Sequence, residues 1–258
     1  MKKILVFVAL FCAFFYLSAF ALELQGLTVD GNYWFGAGKG FVLDWEDPVK
    51  DKQNSMNFAA SASFAPGFIM SLDYTYGTRS QMADLDDGEL LEAPDYIDSA
   101  SHQLIAANVG YSAMLVPKLY ATASIGFGSY EYKSKTDYSG ADPYWNSVRV
   151  KALRPQIGLA AQYQVTPDFS LRGNVATFLG NDGEISIDAS NGWSSSIELD
   201  LKLLRWQIEG KYLLKAGWEA VAGYRVWDIH TIWVNPEDER DEFDLDSSGF
   251  YLGARYSY

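Results

Sequence analysis

An alternation of period two runs through almost the whole chain and constrains its fold more than any other feature. From Phe68 to Gly77, the residues Phe68, Met70, Leu72, Tyr74 and Tyr76 share one face, and Ile69, Ser71, Asp73, Thr75 and Gly77 share the other. Leu27, Val29, Tyr33 and Phe35 oppose Thr28, Asp30, Asn32 and Trp34 in the same way. Phe58, Ala60, Ala62 and Phe64 oppose Asn57, Ala59, Ser61 and Ser63, and Leu119, Ala121, Ala123, Ile125 and Phe127 oppose Thr122, Ser124, Gly126 and Gly128. Successive side chains of a strand point to opposite faces, so this is the pattern of strands with two unlike surfaces.

The connections alternate in length. Short turns stand at Ala65-Pro66-Gly67, Val116-Pro117-Lys118, Thr166-Pro167-Asp168 and Lys215-Ala216-Gly217, with long polar segments near 40–55, 78–101, 134–147 and 231–247. Short turns at one end and long loops at the other describe a transmembrane, antiparallel, up-and-down β-barrel. Counting hairpins predicts ten strands. One region strains the count, because Gly192 to Leu214 is about twice the length a tilted strand needs to cross a bilayer. Trp193, Ile197, Leu199, Leu201 and Leu203 hold one parity, and Leu204, Trp206, Ile208, Tyr212 and Leu214 hold the other. Leu203-Leu204-Arg205 has no turn residue, so a β-bulge is expected there. The preceding segment, Phe169 to Ala189, is comparably long, and the two together predict a hairpin standing above the membrane. A turn at 203–205, with another at Asn181-Asp182-Gly183, would instead give twelve strands.

The apolar face is assigned to lipid. It is dominated by Phe, Tyr, Trp and Leu, which would hardly fit inside a narrow barrel. The opposite face is largely Gly, Ser, Ala, Asn and Thr, which suits a crowded lumen better than a soluble exterior. Aromatics make up 16% of the chain, an excess expected where a surface crosses two membrane interfaces.

The two ends of the chain support export and membrane assembly. Lys2 and Lys3 precede an apolar run from Ile4 to Leu17, and Ser18-Ala19-Phe20-Ala21 supplies small residues for cleavage after Ala21. Residues 1–21 are read as a signal peptide and 22–258 as the barrel domain. Cys12 leaves with the signal, so the mature chain is expected to have no cysteine and no disulfide. Removing Lys2 and Lys3 from 20 basic residues leaves 18 against 33 acidic ones, which makes nucleic acid an unsuitable partner. At the other end, Phe250, Leu252, Ala254, Tyr256 and Tyr258 alternate with Gly249, Tyr251, Gly253, Arg255 and Ser257. This segment, Gly249 to Tyr258, resembles the closing strand of Gram-negative outer-membrane proteins. That resemblance implies the bacterial outer membrane as location, its lipid as surroundings, and the barrel-assembly machinery as a partner.

Four features bear on function. Asp73, Arg154, Arg172, Glu198, Asp200, Glu219, Arg225 and Arg255 all fall on the polar face in this register, as do Asp30, Glu209 and Lys211. They are expected to form a charge network that fills the lumen, the alternative being a narrow path for small solutes. Asp84, Asp86, Asp87 and Glu89 crowd the second long loop and Asp241, Asp244 and Asp246 the last, offering oxygen ligands to divalent cations. Ten strands with projecting hairpins resemble the omptin proteases, whose activity uses an Asp-x-Asp pair on one loop and an Asp-x-His pair on another. Asp84 and Asp86 match the first pair, and Asp228 and His230 have the second spacing, but on the ninth strand; the fourth loop, Gly180 to Gly192, has no histidine. His102 is the remaining histidine, expected as a hydrogen-bonded wall residue. No catalytic set and no cofactor motif emerges. The expected function is a non-enzymatic barrel acting in envelope structure or surface interaction, with a narrow channel and an omptin-like protease as alternatives.

Overall fold

The computed structural model describes residues 24–39, 50–82, 96–138, 144–234 and 240–258, and the expected signal peptide lies outside them. Twelve strands form a single antiparallel sheet. They are β1 (Leu24–Lys39), β2 (Lys50–Phe64), β3 (Phe68–Met82), β4 (Tyr96–Val116), β5 (Leu119–Tyr138), β6 (Tyr144–Thr166), β7 (Phe169–Phe178), β8 (Asp182–Ala189), β9 (Ser194–Lys215), β10 (Trp218–Val234), β11 (Arg240–Asp244) and β12 (Ser247–Ser257). β1 pairs with β12 from Thr28↔Ser257 to Gly38↔Ser247 and closes the sheet on itself.

Twelve segments occupy ten wall positions. β7 pairs with the lower half of β6, Gln156 to Thr166, and β8 pairs with the upper half, Asn146 to Lys151. Both also pair with β9, β7 against Leu204–Tyr212 and β8 against Ser194–Asp200. They are one long strand interrupted at Leu179-Gly180-Asn181, where Gly180 has φ +86°. β11 and β12 likewise share one position against β10, interrupted at Leu245-Asp246. The projecting hairpin of β7–β8 with β9 is therefore present. The predicted bulge at Leu203-Leu204 is not: β9 runs unbroken through it, and the irregularity sits in the facing strand, where a glycine reaches the left-handed backbone region.

That displacement changes which residues face inward. Along β9, Leu199, Leu201 and Leu203 are buried inside, in phase with Glu209 and Lys211, so they are not lipid-facing as expected. Glu198 and Asp200, predicted to be lumen charges, lie exposed on the outer wall.

The pattern inverts along each long strand. In the lower half of β6, Leu153, Ile157, Leu159 and Tyr163 face out, with Gln156 and Gly158 turned inward. In the upper half, Val148, Val150 and Ala152 are buried inside, and the outer wall carries Arg149 and Lys151. β5 switches after Phe127 and β10 after Trp227: Tyr130, Tyr132 and Ile229 turn in, while Lys133, Lys135 and Asp228 turn out. The side-chain period never breaks within these strands. Only the surroundings change, from hydrocarbon outside to water outside. The strands are 20 to 23 residues long for β5, β6 and β9, roughly twice the 9–11 that cross a bilayer, so their upper halves stand above it.

The lower half carries an apolar belt. At its short-turn end Phe68, Tyr111, Tyr163, Tyr212, Trp218 and Tyr258 form an exposed aromatic ring, with Phe68 packed edge-on against Tyr111 at 5.6 Å. Such girdles mark the membrane interface of outer-membrane barrels. The upper half has a core of soluble type: Leu104, Tyr130, Val148, Val150, Ile185, Ile187, Leu199, Leu201, Leu203 and Ile229 form one buried cluster with Trp34 and Trp227.

Candidate functional site: a polar chamber beneath an apolar seal

The lower half of the barrel encloses a cavity of about 500 Å³. Its lining runs from Ser112, Tyr120 and Ser257, near the short turns, up to Asn57, Thr75 and Trp227. Above it, Trp34, His102 and Trp227 pack together, with ring centroids 5.5 Å apart for the two indoles and 5.0 Å for His102 and Trp227. A Cβ at Gly77 would run into the His102 ring and the Ser55 hydroxyl, so the absence of a side chain there makes room for the histidine. His102 Nε2 lies 3.3 Å from Ser55 Oγ, deep in the wall. The aliphatic cluster continues above this layer. The inward charges by themselves predict a lumen filled by them; the structure fills the outer half with apolar side chains and leaves a chamber in the inner half.

The charges of the chamber are set by cross-strand register. Arg172 of β7 stands opposite Glu209 of β9, and Arg255 of β12 stands opposite both Asp30 of β1 and Glu219 of β10. Glu209 is the hub: it lies 3.7 Å from Arg172, 3.4 Å from Lys211 and 3.4 Å from Arg255, and accepts a hydrogen bond from the Tyr251 hydroxyl at 2.8 Å. Arg255 Nε donates to Asp30 at 2.8 Å, and its Nη1 reaches Glu219 at 4.0 Å. Lys211 Nζ also donates to Gln162, at 3.0 Å. Arg205 reaches across the lumen to Asp73 of β3 at 3.9 Å. Arg225 donates to Gln207 at 2.9 Å and lies over the rings of Trp34 and Tyr251.

Asp73, Arg172, Glu219, Arg225 and Arg255 are thus brought together inside, joined by Glu209, Lys211, Asp30 and Arg205. A bulge at Leu203-Leu204 would fall beside Arg205 and hide its phase; unbroken alternation from Glu209 back through Gln207 places it inward. Arg154 faces inward but lies outside the chamber: it bonds Asp182 through Nε to the backbone carbonyl and through Nη2 to the carboxylate at 2.8 Å, spanning the break between β7 and β8.

The acidic residues of the last long segment belong partly to the wall. Asp241 and Asp244 lie in β11. Asp244 pairs with His230 Nδ1 at 2.8 Å, and Asp246 accepts from the Ile229 backbone N–H at 3.3 Å. Asp84, Asp86, Asp87 and Glu89 lie outside the described residues. Among the described residues no group of three or more His, Cys, Asp or Glu side chains is arranged to hold a metal ion. Asp228 and His230 occupy the outward parity of β10, on the wall above the lipid belt, turned away from the lumen.

No protein-family model and no curated protein sequence matches the chain. Among solved structures, the outer-membrane protease OmpT of Escherichia coli matches with a TM-score of 0.59 at 10% identity, over 92% of this chain and 98% of that one. The translocator domain of the autotransporter NalP from Neisseria meningitidis matches at 0.44 and 13% identity, over 99% and 97% of the two chains. Ail, the attachment invasion locus protein of Yersinia pestis, matches at 0.37 and 9% identity, over 90% and 98%. The protein has the fold of a ten-stranded outer-membrane β-barrel, and its likeness to OmpT is one of architecture.

Proposed function

We propose that this protein is exported to the outer membrane by its N-terminal signal and serves there as a closed, non-conducting and non-enzymatic barrel, acting in envelope structure or in contacts made by its projecting outer half. One observation carries this reading: the apolar cluster that crosses the lumen above the chamber, from Trp34 and Trp227 through Leu199, Leu201, Leu203, Ile185 and Ile187. A channel for ions or polar solutes needs a continuous wet path, and a buried, mainly apolar layer offers few hydrogen-bonding partners along it. The non-enzymatic reading is supported by the orientation of Asp228 and His230, which turn to the outer wall instead of into a shared cleft. General acid–base chemistry requires such groups within hydrogen-bond reach of a bound substrate. The closing strand Gly249–Tyr258 would engage the barrel-assembly machinery, and the acidic outer loops would meet cations or basic partners.

Planar-bilayer recording with the purified protein tests the seal. The expected record is flat, without unitary steps under applied voltage. Reproducible single-channel steps of constant size would overturn the closed-barrel reading and favour the narrow channel.

A further inference from the structure

The closed end of the chamber gathers buried hydrogen-bond donors that no other described residue answers. Arg225 is only 5% exposed, and its Nη1 has no acceptor among the described residues. Nor does any described carboxylate pair with it, whereas Arg172, Lys211 and Arg255 all reach Glu209. Trp227, two residues along the same inward face of β10, is 1% exposed, and its Nε1 likewise has no acceptor. Arg205 is the cross-strand partner of Trp227, and its carboxylate contact with Asp73 is at 3.9 Å. All three line the chamber. Buried donors are ordinarily satisfied, and a buried guanidinium left with a free N–H is costly.

We infer that this closed end is a binding site for a small oxyanion, the carboxylate or phosphate group of a small hydroxylated solute entering from the short-turn side. The guanidinium fork of Arg225 matches the planar geometry of such a group, and the Trp227 N–H and Arg205 add donors from the neighbouring inward positions. The charge balance agrees. Five cations, Arg172, Arg205, Lys211, Arg225 and Arg255, line the chamber against the four carboxylates Asp30, Asp73, Glu209 and Glu219, in a chain whose net charge is −13. Among the described residues, the surplus cation, Arg225, is the one without an ion pair. Asn32 Oδ1, also buried and without a donor among the described residues, and the neighbouring Asn57 and Thr75 suit hydroxyl groups on the same molecule. A volume of about 500 Å³ admits a solute of that size. The site stands whether or not the outer half is sealed, because its mouth is at the opposite end.

The test is calorimetric titration of the folded, detergent-solubilised protein at low ionic strength with gluconate, inorganic phosphate and neutral glucose. Saturable one-to-one binding of gluconate or phosphate is expected, with none of glucose at the same concentration. Binding of only one anion assigns the group, carboxylate or phosphate. Arg225→Gln should weaken binding at least tenfold. Arg149→Gln, on the outer wall, should leave it unchanged. If Arg225→Gln does not refold, Arg205→Gln provides the second reading and should weaken binding too. Absence of saturable anion binding, equal binding of glucose, or anion binding undiminished by loss of either arginine would overturn the inference. Channel recording would be unaffected by that failure, so the two readings fall separately.

Discussion

Glu209 accepts a hydrogen bond from Tyr251 and lies within 3.7 Å of Arg172, Lys211 and Arg255, all inside a barrel wall otherwise covered by apolar side chains. Its own exposure is 2%, so water does little to screen these charges. Removing it would leave several cations facing one another without their shared anion. Glu209→Gln is therefore expected to lower the unfolding free energy by about 3–5 kcal/mol, the range for breaking a buried pair. Urea titration of the variant in detergent, followed by the loss of heat-modifiable migration, measures this. Glu131 shows the contrasting case on the outer wall, where solvent is near. Partial desolvation pushes its carboxyl up, but the hydrogen bond from Arg149 and the charges of Lys133 and Arg149 outweigh this and hold it below the ordinary carboxylate value. A carboxylate whose folded-state pKa is depressed stabilises the protein above its unfolded pKa and ceases to do so as pH falls through the folded one. The stability gap between wild type and Glu131→Gln is thus expected to be present at pH 7, to shrink below about pH 4, and to vanish under stronger acid. Melting temperatures of the two proteins across that window read it out; a gap that widened on acidification would contradict the sign.

At the scale of elements, β9 shows how one strand serves two environments without changing its geometry. Its inward side chains run Leu199, Leu201, Leu203, Arg205, Gln207, Glu209, Lys211, from dry core to polar chamber. Its outward side chains run Glu198, Asp200, Lys202, then Leu204, Trp206, Ile208, from water to lipid. The charged and apolar residues exchange faces at the membrane boundary, which in a sequence looks like a shift of phase. A real phase shift does occur nearby, at Leu179-Gly180-Asn181, where β7 hands over to β8. Two substitutions separate these descriptions. Leu201→Ala should cost about 2–5 kcal/mol, because Leu201 is fully buried in the outer core. Asp200→Ala, one residue away and exposed, should fall within about 0.5 kcal/mol of wild type. A bulge at Leu203 would reverse the two results, so paired denaturation curves decide the register.

The whole molecule is a membrane barrel continued upward as a soluble one. Cys12 is the chain's only cysteine, so in a Cys12→Ser background single introduced cysteines can report on the boundary. A cysteine at Ile208, on the belt, should resist a water-soluble maleimide in intact vesicles, and one at Lys202, above it on the same face, should react at once. Equal labelling of both would misplace the bilayer. Much of this architecture was legible beforehand. The alternation, the short turns and the closing strand Gly249–Tyr258 specify an antiparallel barrel, because a period of two and the length of a connection are local properties of the chain. The same alternation put Asp73, Arg172, Glu219, Arg225 and Arg255 on one face. What lay beyond the sequence was everything that depends on height along the barrel axis. Equating charge with lumen places Glu198 and Asp200 inward, a rule that holds in hydrocarbon and reverses in water. Height is decided by how strands stagger against their neighbours, and stagger is a property of pairs. Only the closed sheet brings Trp34, His102 and Trp227, from β1, β4 and β10, into one layer, and so decides that the barrel holds a polar chamber beneath an apolar seal.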